Sequence, residues 1–185
     1  HLTVDAEEQH RLAMSLDIIE DVLDRPELKD WDGFGMAVQS YSKRGRGVIQ
    51  WANALGRPIH VRLVKGAYWD TEIKRDQVEG VDDYTLFTRK ASTDTAYLAC
   101  AKDMLAAENI RPAFASHNAL TVATILEWAP DRDAFEFQRL HGMGEGLYER
   151  LVREEGYHCR VYAPVGGHKD LLAYLVRRLL ENGAN

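Results

Sequence analysis

The chain has 185 residues, of which 45% are apolar and 28% charged, and its formal net charge is −6. This composition is ordinary for a soluble globular protein, and the length suffices for one domain with a sizeable core. The negative charge gives no electrostatic support to nucleic-acid binding, and the apolar runs are too short to span a bilayer. Two cysteines, Cys100 and Cys159, do not suggest a disulfide framework, which favours a reducing, cytoplasmic compartment.

Short β-prone runs alternate with longer helical patterns along the chain. We predict strands over residues 2–5, 34–39, 59–64, 112–116, 135–138 and 159–163. We predict helices over residues 7–23, 118–128 and 168–180, and another that opens at Ser92 or Thr93 and continues through Leu105. The charged segment 69–90 is expected to form a short helix and a loop above the strand ends.

Most predicted strands start about 25 residues apart, which is the length of a strand-plus-helix unit. A doubly wound sheet and an eight-stranded barrel both fit this alternation. No Gly-x-Gly-x-x-Gly follows the first strand, which counts against a dinucleotide-binding sheet. A complete barrel needs about 250 residues. We therefore predict one α/β domain over residues 1–185, formed by about six βα units of a truncated (βα)8 barrel.

Both ends of the sequence look cut. It begins at His1 rather than at a Met, and it stops directly after the last predicted helix. We expect the earlier barrel strands to lie outside it. Because a barrel without those strands exposes sheet edges, we expect residues 1–185 alone to be inactive.

Polar side chains fall at or just beyond the carboxyl ends of the predicted strands. In a barrel these ends converge on one mouth, where catalytic residues gather. A polar residue at the end of a single strand is more often only exposed to solvent. Six strands with this pattern favour a functional site, although a structural network of polar side chains would look similar. The residues are Asp5, Gln39, Arg62, Lys65, Ser116, His117, Gln138, His141 and Tyr162.

Arg62 stands between Val61 and Leu63, so its side chain points to the opposite face of the strand and can enter the barrel. A buried arginine needs an acceptor. A flavin edge or a carboxylate would serve, whereas pairing with a strand-end acid such as Asp5 would make Arg62 purely structural. Gly66 would let a cofactor approach the backbone closely.

The last predicted helix carries Arg177, Arg178 and Glu181. Two planar guanidinium groups are suited to clamping a carboxylate, although an Arg-Arg pair on a helix is more often a solvated face. Arg177 and Glu181 are four residues apart and share a face. The histidines lack metal-ligand spacing, so no metal is predicted.

Several runs of the chain, in order and over nearly all of it, resemble the proline dehydrogenase domain of bacterial proline utilisation A (PutA) flavoenzymes. The runs are RLVKGAYWD at 62–70, TRK at 88–90, HN at 117–118, FQ at 137–138, LHGMGE at 140–145, YAPVG at 162–166 and LLAYLVRRLLENGAN at 171–185.

The resemblance implies a distorted (βα)8 barrel that binds FAD without a covalent bond and oxidises L-proline to Δ1-pyrroline-5-carboxylate by hydride transfer to flavin N5. Electrons would pass to a quinone at the membrane surface, so a cytoplasmic protein that associates peripherally with the membrane when reduced is expected. A pyrroline-5-carboxylate dehydrogenase, fused or separate, is an expected partner. An active-site lysine on one of the family's earlier strands has no counterpart here.

The resemblance also implies residue roles. Arg177 and Arg178 would clamp the proline carboxylate, Glu181 would brace them, and Tyr162 would wall the proline ring. Asp5, Arg62 beside flavin N5, and Tyr162 would be the catalytic residues. The cofactor-binding residues would be Ala6, Gln39, Arg62, Lys65, Gly66, Ala67, Trp69, Arg89, Lys90, Ser116 and His117.

Two alternatives remain at this point. One is a barrel lyase or aldolase that uses Lys65 as a Schiff-base nucleophile, which requires a desolvated lysine at a strand end. The other is a folded fragment without catalytic activity. Flavin absorbance would distinguish the oxidoreductase from the lyase.

Overall fold

The computed structural model of the chain describes residues 1–129, 131–169, 171–172, 174–176 and 178. Strands and helices alternate in these residues, and the chain divides into two compact units, His1–Pro112 and Ala113–Asn185. The strands are β1 (Leu2–Val4), β2 (Phe34–Gln39), β3 (Ile59–Val64), β4 (Ile110–Ala115), β5 (Glu136–Leu140) and β6 (Cys159–Tyr162). The helices are α1 (Leu12–Leu23), α2 (Gly45–Ala54), α3 (Trp69–Glu79), α4 (Lys90–Ala106), α5 (Ala119–Trp128) and α6 (Glu145–Arg153).

In the first unit, β1, β2 and β3 lie side by side and parallel. Every residue of β2 is buried, as expected for a parallel strand covered on both faces. In β3 the burial alternates: Val61 and Leu63 are fully buried, whereas Arg62 between them is only partly buried. This confirms the prediction that the Arg62 side chain points to the opposite face of the strand from those of Val61 and Leu63.

The core of the first unit forms where α2 and α4 pack against each other beside the sheet. Ile49 and Ala52 of α2 and Tyr97, Ala101 and Met104 of α4 are almost completely buried. The Tyr97 hydroxyl donates a hydrogen bond of 3.3 Å to the Leu63 carbonyl, so the polar end of this core side chain has an acceptor.

In the second unit, β4, β5 and β6 are parallel neighbours. Their core is aromatic: Phe135 contacts Phe114 and Phe137 at centroid separations of 5.5 and 5.1 Å, and Phe137 contacts Tyr148 of α6 at 5.7 Å. Asn118 caps α5, because its side chain accepts a hydrogen bond from the Thr121 backbone N–H.

Some predicted bounds were wrong. Helix α4 begins at Lys90, and neither Ser92 nor Thr93 is its N-cap, because Arg89 supplies the extended residue that precedes the first turn. Strand β5 runs to Leu140, which places Gln138 inside it rather than at its end. The 7–23 helix begins as a 3-10 turn over Gln9–Arg11, and α1 follows from Leu12. Helices α2 and α6 were not singled out from the sequence.

Within the described ranges, no helix is both long and apolar enough to cross a bilayer.

Candidate active site

The carboxyl ends of the first three strands carry polar side chains, as the sequence predicted. Asp5 directly follows β1, Gln39 ends β2, Arg62 lies in β3, and Lys65 directly follows β3. Because the three strands are parallel, these ends lie at one edge of the sheet.

Arg62 forms an ion pair with the Asp5 carboxylate. The pair reaches across β2: Arg62 is the register partner of Ala37, and Val4 is that of Met36, so Asp5 follows at the level of Ala37. The small alanine between them leaves room for the arginine to cross. Arg62 is 21% exposed and Asp5 is 68% exposed, so the pair is open to the solvent on the Asp5 side.

The Gln39 side chain is buried, and only one of its two polar atoms has a hydrogen-bond partner among the described residues. Its Nε2 donates to the Glu7 carbonyl at 3.0 Å. Its Oε1 is buried and has no hydrogen-bond partner in the part of the chain that is described. A buried acceptor without a donor is unfavourable, so this oxygen marks a place suited to a ligand N–H.

Lys65 is 5% exposed and lies 2.6 Å from Asp94, whose other carboxylate oxygen lies 2.6 Å from Lys90 at the start of α4. Burial alone would raise the pKa of Asp94, but the hydrogen bonds and charges of Lys65 and Lys90 together hold it below its ordinary value. Asp94 therefore stays a carboxylate, and the Lys65 amine is held against it as an ion-pair partner. A Schiff-base nucleophile needs a free neutral amine, which this contact does not favour.

Gly66 has a structural reason in addition to the cofactor contact that the sequence predicts. Its φ is +135°, and a Cβ at this position would lie 2.4 Å from the Tyr41 ring. The space beside Gly66 is thus occupied by Tyr41, and any side chain here is disfavoured by both conformation and contact. The following Ala67 is partly buried, and Trp69 opens α3 with its indole N–H donating to the Phe87 carbonyl at 2.9 Å.

Three further predicted residues belong to the second unit. Ser116 is buried just past β4, and its hydroxyl accepts a hydrogen bond of 3.1 Å from the Asn118 backbone N–H. His117 accepts one of 3.2 Å at Nε2 from the Leu140 N–H, so its Nδ1 carries the proton of the neutral ring. Tyr162 ends β6, and its carbonyl accepts from the His141 N–H at 2.8 Å.

The predicted carboxylate clamp lies only partly in the described region. Arg177 and Glu181 lie outside it. Arg178 is helical, and its guanidinium stacks 4.7 Å above the centroid of the Tyr174 ring. Such stacking restricts the arginine and leaves its edge to donate hydrogen bonds.

Two residues at this edge were missed by the sequence reasoning. Asp94 could not be expected from the sequence, because nothing in the α4 pattern indicates that it reaches Lys65. Glu72 of α3 is 1% exposed, and it reads in the sequence as one more charge in a charged segment. Its spacing from the buried Ile73 and Asp76 is the signal that could have placed it on the inner face.

Comparison with known proteins decides the family. The family model for proline dehydrogenase matches residues 1–185. The chain belongs to the proline dehydrogenase family. Bifunctional protein PutA of Klebsiella aerogenes is 52% identical to it over 197 residues, an alignment that covers 100% of this chain and 15% of that protein. Proline dehydrogenase 2 of Bacillus subtilis is 30% identical over 188 residues, covering 100% of this chain and 55% of that protein.

A solved structure agrees with the family assignment. The chain matches a crystal structure of Bradyrhizobium japonicum PutA with a TM-score of 0.93 and 61% identity, covering 99% of this chain and 20% of that one. The predicted fold class, α/β with about six βα units of a (βα)8 barrel, is confirmed by this match. This family member therefore spans only a small part of the length of its PutA relatives.

Proposed function

We propose that this chain is part of an FAD-dependent proline dehydrogenase, which oxidises L-proline to Δ1-pyrroline-5-carboxylate. Family membership over residues 1–185 is the observation that carries the proposal. The relatives named PutA and proline dehydrogenase support it, and the polar edge of the first unit supplies residues of the kinds that the reaction needs.

The first unit fits a flavin in one specific respect. The pyrimidine edge of a flavin presents an N–H donor, and the buried Gln39 Oε1 is an acceptor without a protein donor among the described residues. We propose that Gln39 binds this edge, and that Ala6, Gly66, Ala67 and Trp69 contact the cofactor nearby. A flavin held there would supply the redox chemistry, a two-electron oxidation of proline at the carbon next to its nitrogen.

Cations near this edge suit the charged parts of the cofactor. Arg62 would stabilise negative charge on the reduced ring, and its pairing with Asp5 fixes where the guanidinium lies. We propose that the cofactor phosphates bind to Lys65, Arg89 and Lys90. Arg89 and Lys90 stand at the N-terminus of a 17-residue helix, which is the helix end that favours anions.

Further residues predicted from the sequence are proposed to bind the cofactor or the substrate. Ser116 and His117 would contact the cofactor, and Tyr162 would pack against the proline ring. Arg177 and Arg178 would bind the proline carboxylate by charge-assisted hydrogen bonds, with Glu181 bracing them. The catalytic roles of Asp5, Arg62 and Tyr162 belong to this proposal.

The wider context is proposed from the same relatives. Those named bifunctional suggest a second activity on the same polypeptide, for which a pyrroline-5-carboxylate dehydrogenase is the natural partner because it consumes the product. We propose a quinone at the membrane surface as the electron acceptor, and a cytoplasmic location with peripheral membrane association in the reduced state. We further propose that residues 1–185 form one domain.

Absorbance spectroscopy and a dye-reduction assay on the complete protein that contains this chain test the proposal. A flavin spectrum together with proline-dependent dye reduction would support it. A colourless protein that is trapped by borohydride on Lys65 in the presence of a carbonyl substrate would instead support the lyase. The contact of Lys65 with Asp94 argues against that outcome.

A further inference from the structure

Glu72 is a buried acid whose carboxylate is poorly compensated. It is 1% exposed and lies in the first turn of α3. Its Oε2 accepts a hydrogen bond of 3.2 Å from the Gln9 backbone N–H, and its Oε1 has no hydrogen-bond partner among the residues described. A buried carboxylate with one neutral donor costs stability. A reason other than local stability is therefore needed for an acid here.

Gln9 belongs to a segment that is held from several sides. The Ser42 hydroxyl donates to Gln9 Oε1 at 2.6 Å, and Gln39 Nε2 donates to the Glu7 carbonyl at 3.0 Å. Together with Glu72, these side chains hold residues 7–9 from the end of β2, the turn after it and the first turn of α3. Each of these contacts gives a hydrogen-bond partner to a backbone group or a buried side-chain atom of the segment. A few of them therefore suffice to hold a short irregular segment.

These residues belong to the 5–9 segment, which follows β1 and begins with Asp5, the partner of Arg62. Arg62 lies in β3 and Glu72 in α3, so one strand–helix unit contacts the segment at both of its ends. Gln9 follows Asp5 by only four positions. A displacement of Gln9 therefore changes where the Asp5 carboxylate lies relative to Arg62.

We propose that Glu72 is a positioning residue that holds the 5–9 segment through the Gln9 amide, and thereby keeps Asp5 paired with Arg62. The effect on proline oxidation rests on the proposed function, whereas the hold on the segment does not. The charged and titratable groups around Glu72 are His10 from the turn before α1 and Arg75 and Asp76 from α3.

Hydrogen exchange tests the hold directly in the complete protein without bound cofactor. In Glu72→Leu the Gln9 amide loses its acceptor, so its exchange should be about tenfold faster than in the wild type. Glu72→Gln keeps an acceptor oxygen and should restore most of the protection. Glu79→Leu, an exposed position of the same helix, is the matched control and should leave the exchange unchanged.

Kinetics and potentiometry of the flavin-loaded protein test the consequence. In Glu72→Leu we expect kcat for proline to fall about tenfold with little change in KM, together with a shifted flavin potential, and both should recover in Glu72→Gln. Unchanged Gln9 exchange in Glu72→Leu would overturn the proposal. Faster exchange with wild-type kcat and potential would also overturn it, because the role would then be structural only.

A second pair of variants applies if Glu72→Leu does not fold. Gln9→Pro removes the amide donor itself at the first position of a 3-10 turn, where proline is tolerated, and Gln9→Ala removes only the side chain. A lower kcat in Gln9→Pro than in Gln9→Ala supports the proposal, and equal values contradict it. If the wild-type protein does not oxidise proline, the proposed function fails, while the exchange measurements still decide whether Glu72 holds the segment.

Discussion

Asp5 and Arg62 form an ion pair across the strand that separates them, with Ala37 of that strand at the same level. An arginine with a purely structural role would form the same ion pair. The position of the pair at the carboxyl edge of the sheet favours a functional use, because Gln39, two residues beyond Ala37 on the same strand, carries a buried acceptor. The two interpretations predict different redox behaviour.

The first prediction concerns the flavin potential. Arg62→Met removes a positive charge near the proposed ring site, so we expect the two-electron potential to fall by about 30 mV or more, which corresponds to about 1.4 kcal/mol. Asp5→Asn removes the opposing negative charge, so the potential should rise. Potentiometric titration measures both. Potentials that do not move, or that move together, would assign the pair to structure alone.

The second prediction concerns substrate binding. Arg178→Met, and likewise Arg177→Met, should raise KM for proline by an amount equivalent to about 1.5–3 kcal/mol, because a charge-assisted hydrogen bond to the carboxylate is lost. Bound flavin should be unaffected. Arg153→Met, at an exposed arginine of α6 that pairs with Glu149, is the control. A wild-type KM in both test variants would contradict the proposal that these arginines bind the proline carboxylate.

The third prediction compares two glycines of the first unit by thermal or denaturant unfolding. Gly66→Ala places a Cβ 2.4 Å from the Tyr41 ring at a φ of +135°, so a loss of about 1–3 kcal/mol is expected. Gly47→Ala lies within α2 with nothing within 4 Å of the new Cβ, and should stabilise by about 0.5–1 kcal/mol. A neutral Gly66→Ala would mean that the contact with Tyr41 relaxes without cost.

The fourth prediction concerns pH. Burial raises the pKa of Glu72 above its ordinary value of 4.5, so folding favours the protonated acid. This contribution to stability is complete below pH 4.5 and is lost as the pH rises through the raised pKa. Glu72→Gln, which does not titrate, should therefore gain stability relative to the wild type as the pH rises from 4.5 towards neutrality.

Unfolding free energies of wild type and variant, measured at the same pH values, check the sign of this difference. Glu79→Gln at the exposed position should show no such trend. A Glu72→Gln difference that is constant with pH would contradict a raised pKa.

The strand–helix alternation could be predicted closely, because period-two burial and turn residues are local signals. Strands β2 and β3 agree residue for residue with the predicted ranges, and Arg62 points away from Val61 and Leu63 as expected. The start of α4 was wrong, since hydroxyl residues at 92 and 93 resemble caps and yet lie inside the first turn.

Contacts between distant residues could not be predicted in the same way. Nothing local indicates that Asp94 joins Lys65 and Lys90, or that Glu72 accepts the Gln9 amide 63 residues away. The Asp5–Arg62 pair is an exception, because both residues stand at predicted strand ends. Long-range pairings of this kind depend on register and helix rotation, which the sequence pattern leaves open.

The central claim is that the protein oxidises proline with a bound flavin, and anaerobic mixing with L-proline tests it most directly. The complete protein that contains this chain should lose its oxidised-flavin absorbance when L-proline is added, and Δ1-pyrroline-5-carboxylate should appear in equal amount. D-proline serves as the control and should react far more slowly. A flavin that stays oxidised under excess L-proline, or a protein that carries no flavin, would contradict the account.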